Sequence, residues 1–454
     1  MKSNQNKIKN PEDLTNWFKQ GMKTKDKWRV GTEHEKFAYN YIKKEKRYMP
    51  AQYHGKLGIS KFLNEISKEG WVKIEEENNV VALKKGDQSI TLEPGGQIEL
   101  SGAPLKDLHS TCRETGEHLS LVKKVGKKLN LTLIGLGSRP FEKVDDVPWM
   151  PKARYKIMKN YMPHKGGKGL EMMKSTCTVQ ANLDFSSEED MRKKIKLAVK
   201  IQPVITALFS NSPLTLSKPN GFLSRRRFIW TDTDPDRCGV LKIALDEDFS
   251  FNKYIDYALS VPMYFVVRNN QYINCSGMSF KDFIKGKMVS MPGEFPTIKD
   301  WEDHLSTIFT EVRLKKFIEV RGADAGNWNI TCALPAFWVG LLYSESSLST
   351  ALDLCSNWTY KTVEKLSYDV CEKGLKSSVD NTRVSEIAKE LVKLSRKGLE
   401  ERGVIDSSGQ DETGFLSILD EIINTGKTPA QKILDNFNSK WKQNTTNLIK
   451  DLCY

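Results

Sequence analysis

The chain has 454 residues, of which 39% are hydrophobic, and its 70 basic and 57 acidic side chains give a net charge of +13. This length is too great for one small core and predicts one large or two medium domains. We expect neither a secreted nor a membrane-spanning protein, because the N-terminus is polar and no apolar run is long enough to cross a bilayer.

The first extended stretch of the chain carries two neighbouring acids. A short amphipathic helix is predicted at 11–18, and the pattern at 30–39 is typical of a strand. Side chains alternate between the two faces of a strand, so Glu33 and Glu35 point the same way. Because adjacent carboxylates repel each other unless positive charge lies between them, this pair indicates a hard divalent cation with oxygen ligands.

A second acidic stretch follows at 91–101, after a predicted helix and two short strands. Glu93 and Glu99 have the same parity along this stretch, although a Pro-Gly-Gly break at 94–96 interrupts the simple alternation. The succession of short strands and turns predicts an antiparallel sheet.

Two glycine-containing segments in the next part of the chain resemble phosphate-binding loops only in part. A long helix is predicted from Asp107 to about Asn130, followed by a buried strand. The segment 135–140 lacks the third glycine and the following helix of a dinucleotide-binding loop. The loop 165–169 is not a Walker A loop, since no Ser or Thr follows its lysine. Its backbone N–H groups either cover phosphates or belong to a flexible turn.

The stretch 176–185 alternates cleanly between polar and apolar residues. Thr178, Gln180 and Asn182 share one strand face, which we expect to lie against solvent or a polar cavity. Their side chains both donate and accept hydrogen bonds, which suits an amino acid or nucleotide ligand.

Charged residues cluster again after a helix predicted at 187–211. Three consecutive arginines at 225–227 suit anion binding, the alternatives being surface charge or nucleic-acid contact. The Asp-rich segment 231–237 imitates the start of a calcium loop, but Arg237 stands where that loop requires glycine, so an EF-hand is rejected.

A third acidic stretch lies at 317–324, beyond a predicted hairpin at 263–275 and within a mainly helical second half. Glu319 and Arg321 share a strand face there. One interpretation brings five carboxylates to a single Mg²⁺-rich site, and the other leaves three unrelated strands with exposed acids. The five candidate Mg²⁺ ligands are Glu33, Glu35, Glu93, Glu99 and Glu319.

These stretches together resemble the glutamate–cysteine ligase (γ-glutamylcysteine synthetase) family, in the branch shared by plants and several groups of bacteria. The resemblance extends from about Gly31 to the C-terminus. It rests on several long motifs in the right order, at 31–37, 92–104, 154–163, 180–185, 229–234 and 319–324.

The resemblance implies an α+β, glutamine synthetase-like catalytic fold, in which a curved antiparallel β-sheet forms a cup flanked by helices. The whole chain, 1–454, would be a single catalytic domain with a mainly helical C-terminal part from about 335 to 454. The implied reaction is the ATP-dependent joining of the glutamate γ-carboxylate to the cysteine amine through a γ-glutamyl phosphate. This is the first step of glutathione synthesis.

The resemblance also implies roles for individual residues. The five acids would bind Mg²⁺, and Thr178, Gln180 and Asn182 would line the substrate cavity. Arg154 and Arg226 match the family's basic positions for the glutamate carboxylate or the transferring phosphate, and Arg321 is a weaker third candidate. The catalytic candidates are Arg226, Arg154 and Arg321.

The expected partners are glutamate, cysteine and ATP, with neither nucleic acid nor membrane, in a monomer or a homodimer. A cytoplasmic location is predicted, because no plant-style targeting extension is seen. None of the eight cysteines forms a CxxC pair, which argues against a structural zinc site, and free thiols are expected in a cytosolic chain of this size. Plant members carry a cysteine pair around the hairpin, and here Ser290 replaces the second cysteine, so we expect no disulfide from Cys275.

Two alternative functions are a related carboxylate–amine ligase with another amine acceptor and a basic nucleic-acid-binding protein.

Overall fold

The computed structural model of the protein describes residues 7–454, in which helices and strands alternate up to residue 324. The N-terminal part contains α1 (Pro11–Lys19), β1 (Val30–Ile42), β2 (Arg47–Pro50), α2 (Ile59–Ser67), β3 (Val72–Glu76), β4 (Asn79–Lys85), β5 (Gln88–Leu92), β6 (Ile98–Ser101), α3 (Leu108–Lys128) and β7 (Leu131–Ile134).

The middle part begins with two helices and ends with the last strands of the main sheet. It contains α4 (Ala153–Tyr161), α5 (Gly169–Ser175), β8 (Thr178–Leu183), α6 (Glu188–Leu208), β9 (Leu214–Thr215), β10 (Lys218–Pro219), α7 (Arg225–Trp230), β11 (Cys238–Gly239), α8 (Phe251–Ser260), β12 (Phe265–Arg268), β13 (Gln271–Asn274), α9 (Phe280–Ile284), α10 (Ile298–Leu305), β14 (Phe309–Thr310), β15 (Val312–Leu314) and β16 (Ile318–Asp324).

The C-terminal part is mainly helical. It contains α11 (Trp328–Leu342), α12 (Glu345–Leu354), α13 (Tyr360–Lys373), β17 (Ser378–Val379), β18 (Thr382–Arg383), α14 (Val384–Arg402), α15 (Ser417–Thr425), α16 (Pro429–Asn438) and α17 (Thr445–Leu452).

One sheet of 10 strands organises the molecule, in the order β15-β16-β8-β1-β6-β5-β4-β3 with β2 and β7 paired to β1. The pairings along this path are all antiparallel. At 13 residues β1 is long enough to pair with β6 and β8 through its first half and with β2 and β7 through its second half. The two acids of the first acidic stretch therefore lie at the centre of the sheet.

The two faces of the sheet differ in chemistry because the strands alternate. Val179, Ala181 and Leu183 of β8 are buried in the main hydrophobic core, which also contains most of α6 and α11. Helix α11 is apolar on all sides, as expected for a helix enclosed by other helices and the sheet. The polar residues of the same strands face the other way, where α4, α5 and α7 cover them.

Most of the predicted elements are confirmed. The long helices, the 263–275 hairpin and the antiparallel sheet are present, and the α+β class predicted from the sequence is correct. Cys275 lies with its Sγ 3.4 Å from Ser290 Oγ, so serine does occupy the position opposite this cysteine. Within residues 7–454, the helices are all too short or too polar to span a bilayer.

Candidate active site

The register of the central strands places the acids of two stretches side by side. Glu35 of β1 lies directly opposite Glu99 of β6, and Glu33 lies opposite Ser101 on one side and Gln180 of β8 on the other. Directly opposed residues of antiparallel strands project from the same face of the sheet. The side chains of Glu33, Glu35 and Glu99 therefore share the polar face.

Glu93 reaches this face from a tight turn instead of a strand. Its backbone N–H donates to Gln97 O at 2.9 Å, and its carbonyl accepts from Gly96 N–H at 2.9 Å. The Gln97 amide anchors the turn, because its Nε2 donates to Thr176 O at 2.9 Å and to Met173 O at 3.2 Å. The Pro-Gly-Gly break thus turns Glu93 toward the acids of the sheet.

A cavity of about 320 Å³ lies above the polar face and is lined by acids and bases together. Four of the predicted acids line it: Glu33, Glu35, Glu93 and Glu99. Six basic side chains line it as well: Lys152, Arg154, Arg226, Arg313, Lys315 and Arg321. We call this cavity and its lining residues the cup.

The electrostatic environment of the cup favours the binding of a cation or a proton by three of its acids. Burial, together with the nearby charges of Glu319 and Glu99, raises the pKa of Glu33 to about 7. Burial and then the charges of Glu93 and Glu99 hold the pKa of Glu35 well above its usual range. Burial, followed by Glu93, also raises the pKa of Glu99. Nearby protein cations do not fully neutralise these three carboxylates.

This donor set fits Mg²⁺, which takes oxygen ligands and usually combines one or two carboxylates with water and substrate phosphates. In the part of the chain that the structure describes, no three His, Cys, Asp or Glu side chains already stand at the spacing of one ion. An open cluster of carboxylates suits a metal that arrives with a phosphate ligand, because the phosphate supplies the remaining oxygens.

Glu319 differs from the other four predicted ligands. Its side chain is completely buried and does not line the cup. Burial by itself would raise its pKa, but Arg313, Lys315 and Arg321 hold that pKa well below the usual range. Lys315 Nζ lies 2.9 Å from Oε1, and Arg313 Nε and Arg321 Nη1 both donate to Oε2. Glu319 can bind a metal only if it exchanges one of these cations.

The three consecutive arginines have three different partners. Arg225 pairs with Glu171 at 2.8 Å, and Arg227 pairs with Glu311 at 2.7 Å. Only Arg226 enters the cup, because successive residues of helix α7 point in different directions. Asp324 fixes the start of this helix through a hydrogen bond from Ser224 Oγ at 2.8 Å.

The predicted catalytic arginines all line the cup. Arg226 is 4% exposed and donates to Arg321 O at 3.0 Å. Arg321 donates to Gln180 Oε1 at 2.5 Å, and the Arg154 guanidinium lies 5.3 Å from the centre of the Phe265 ring. Arg226 and Arg154 have no ion pair with an acid among the described residues, so both are free to bind an anionic ligand.

The polar face of β8 serves mainly to position its neighbours. Thr178 Oγ1 donates to Ala323 O at 2.7 Å, and its backbone N–H donates to Glu35 Oε2 at 3.0 Å. Asn182 Nδ2 donates to Glu33 Oε1 at 2.8 Å, and Asn182 does not itself line the cup. Thr178 and Gln180 do line it.

The glycine-rich loop binds a carboxylate of the Asp-rich segment. Gly167 N–H and Lys168 Nζ donate to Asp232 at 3.0 Å and 2.9 Å, and Lys165 Nζ donates to Asp236 at 2.6 Å. The hydrogen-bond donors of the loop are therefore taken up by the Asp-rich segment, and the loop is not part of the cup lining.

Three basic residues of the cup were not assigned from the sequence: Lys152, Arg313 and Lys315. Lys152 directly precedes α4, which carries Arg154. Arg313 and Lys315 precede the Glu319 strand at the spacing of an antiparallel neighbour, and Arg313 does lie opposite Glu319. The alternation of Arg313 and Lys315 along the chain was the sequence signal that could have identified them as residues of the cup.

Comparison with known proteins gives consistent matches over almost the whole chain. The family model for glutamate–cysteine ligase family 2 matches residues 29–453. The chloroplastic glutamate–cysteine ligase of Nicotiana tabacum is 49% identical over 444 residues, which cover 98% of this chain and 83% of the relative. Glutamate–cysteine ligase B, chloroplastic, of Oryza sativa subsp. japonica is 50% identical and covered to 87% of its length.

A solved structure shares the fold at low sequence identity. The crystal structure of glutamate–cysteine ligase from Francisella tularensis in complex with AMP has a TM-score of 0.55 and 13% sequence identity. The match covers 93% of this chain and 88% of that chain. This likeness confirms the glutamine synthetase-like α+β fold expected from the sequence.

The predicted cytoplasmic location is wrong. The similar proteins of Nicotiana tabacum, Medicago truncatula and Arabidopsis thaliana are each 49% identical to this chain, and all three are chloroplastic.

The raised pKa of Glu33 predicts how the stability of the metal-free protein depends on pH. The folded protein holds this proton up to about pH 7, whereas an unfolded chain releases it near the ordinary glutamate pKa of 4.5. Stability is therefore lost as pH rises through this window, by about 3 kcal/mol for Glu33 alone. Glu33→Gln should reduce the loss by that amount, because glutamine stays neutral and can still accept from Asn182.

Urea unfolding with a chelator at pH 5 and pH 8 measures this effect. Glu386→Gln, a substitution of an exposed acid on α14, serves as the control and should leave the pH dependence unchanged. If Glu33→Gln and the unsubstituted protein lose equal stability between pH 5 and pH 8, the raised pKa of Glu33 does not cause the pH dependence.

Proposed function

Since the chain belongs to glutamate–cysteine ligase family 2, we propose that the cup is the place where its ligase reaction occurs. The enzyme uses ATP to form γ-glutamylcysteine from glutamate and cysteine, the first step of glutathione synthesis. The observation that carries the assignment to the cup is its composition. Partly uncompensated carboxylates and two arginines without ion pairs line one cavity.

The chemistry requires activation of the glutamate γ-carboxylate, because an oxide ion is a poor leaving group. In the proposed sequence a γ-carboxylate oxygen attacks the γ-phosphorus of ATP, forming γ-glutamyl phosphate and releasing ADP. The cysteine amine then attacks the acyl carbon, the C–O bond to phosphate breaks, and the amine loses a proton. Inorganic phosphate and γ-glutamylcysteine are the products.

Glu33, Glu35, Glu93 and Glu99 would hold Mg²⁺, and Glu319 completes the proposed set if one of its cations is exchanged. When bound, Mg²⁺ neutralises the charge that develops on the phosphate oxygens. Burial strengthens the interaction of these carboxylates with a cation, since water screens it less inside the cup.

Arg226 and Arg154 would bind the glutamate carboxylate or the transferring phosphate. A guanidinium forms two parallel hydrogen bonds to such groups and stays charged when buried. Arg321 is tied to Gln180 and Glu319, so it would contribute charge at the wall of the cup. Thr178 and Gln180 would complete the substrate cavity, and Asn182 would orient Glu33.

The release of ADP by purified protein tests the proposed reaction directly. The assay contains ATP, Mg²⁺ and glutamate, with and without cysteine, and the product is identified by mass. We expect ADP release that depends on cysteine, together with γ-glutamylcysteine. Release that is indifferent to cysteine would point to a different amine acceptor, and no turnover with any amine would contradict the assignment.

Glu33→Gln should lower kcat by about 100-fold or more, because the loss of about 3 kcal/mol of transition-state stabilisation corresponds to that factor. The fold should persist, since glutamine has nearly the same shape. The measurement is the initial rate over a range of Mg²⁺ concentrations, with circular dichroism as the check on folding. Glu386→Gln is the matched control, and near-normal turnover of Glu33→Gln would rule out the proposed ligand.

Arg226→Lys should raise KM for glutamate roughly tenfold, because a lysine ammonium cannot reproduce the paired hydrogen bonds of a guanidinium. Arg225→Lys is the control, since Arg225 lies on the same helix but pairs with Glu171 outside the cup. Initial rates with glutamate varied at fixed ATP measure the effect. An equal change in both variants would indicate a general disturbance of α7 instead.

A further inference from the structure

A buried arginine just outside the cup connects two of its acidic segments. Arg139 is 3% exposed and belongs to the 135–140 segment that follows β7. It does not line the cup and forms no ion pair with a carboxylate among residues 7–454. Its guanidinium therefore forms no ion pair with the acids of the cup, although its charge opposes the rise that burial causes in the pKa of the Glu142 carboxyl, and its hydrogen bonds indicate a further role.

The first contact of Arg139 is with the turn that carries Glu93. Its Nη2 donates to Gly95 O at 2.8 Å, and its Nε donates to Lys174 O at 3.0 Å. Gly95 lies so close to the end of α5 that a Cβ at this position would stand 2.4 Å from Lys174 O. The guanidinium thus joins two backbone segments that already touch, at the centre of the turn.

The second contact of Arg139 is with β1. Its guanidinium lies 4.6 Å from the centre of the Phe37 ring and 5.3 Å from that of Tyr39. These rings have the same parity along β1 as Glu33 and Glu35, so they continue the face of the strand that carries the two acids. A cation over aromatic rings is attracted to them, more so when it is buried.

We propose that Arg139 is a positioning residue for metal binding. It fixes the distance between the Glu93 turn and the β1 acids, so that carboxylates from both segments can serve one cation-binding cluster. This inference rests on the proposed function, in which Glu33, Glu35 and Glu93 hold Mg²⁺. Arg139 acts through the backbone of Gly95 and the rings of β1, and it touches neither metal nor substrate.

Two substitutions test the proposal at different strengths. Arg139→Met removes both hydrogen bonds and the charge, whereas Arg139→Lys keeps the charge but cannot form the two directed bonds of a planar guanidinium. Calorimetric titration of Mg²⁺ into the protein, with ADP present, should show affinity reduced about tenfold in the Met variant, as for other groups that orient metal ligands. The Lys variant should lie between it and the unsubstituted protein, and kcat at saturating Mg²⁺ should change much less than the Mg²⁺ affinity.

Arg402→Met is the matched control for a general loss of stability. Arg402 also donates to a backbone carbonyl, Lys106 O at 2.8 Å, and pairs with Glu412, but it lies outside the cup. Lower melting temperatures in both variants, with Mg²⁺ affinity reduced only by Arg139→Met, support the inference. Lower melting temperatures with unchanged Mg²⁺ affinity in both would overturn it. If Arg139→Met does not fold, the same comparison is made with Arg139→Lys.

A double substitution distinguishes positioning of Glu93 from an effect elsewhere. In a Glu93→Gln background, Arg139→Lys should reduce Mg²⁺ affinity little further, because both substitutions disturb the same turn. A full, additive reduction would overturn the proposed route through Glu93. If the unsubstituted protein neither binds Mg²⁺ nor needs it for turnover, the proposed set of Mg²⁺ ligands is wrong. If the Arg139 variants bind Mg²⁺ as well as the unsubstituted protein does, the ligand set stands and the role of Arg139 is wrong.

Discussion

Repulsion among buried carboxylates is the constraint on which the site depends. Glu35 and Glu99 face each other across neighbouring strands, and Glu33 lies beside them on the same face. Burial, followed by this repulsion, raises their pKa values, so the fold brings these groups together at a cost and does not fully neutralise them. Glu319, two strands away, is held by three cations and has a lowered pKa. The charge of Glu319 is thus already neutralised by cations of the protein, whereas the acids with raised pKa values need a further cation.

The basic side chains of the chain show the same division. Two of the three consecutive arginines form ion pairs outside the cup, and only Arg226 enters it, because successive residues of a helix point in different directions. In the same way, the lysines of the glycine-rich loop are engaged by Asp232 and Asp236. A run of like charges in the sequence therefore supplied one residue to the cup, while its neighbours stabilise the surrounding elements.

Around the cup, hydrogen bonds from buried polar groups fix the backbone that carries each acid. Gln97 ties its turn to the end of α5, Asn182 orients Glu33, and Asp324 secures the start of the helix that carries Arg226. Each bond joins segments far apart in the chain, so the shape of the cup depends on the whole sheet being formed. These supports keep the acids close without neutralising them.

The amino-acid pattern was sufficient to predict which acids share a strand face, because side-chain alternation is a local property with a period of two. It also determined the long helices, the hairpin and, through long motifs, the resemblance to the family. Strand register and packing set the rest, since they place Glu35 opposite Glu99 and bring the glycine-rich loop to Asp232. These outcomes depend on how segments that are distant in the chain pair and pack, which no local pattern in the sequence encodes.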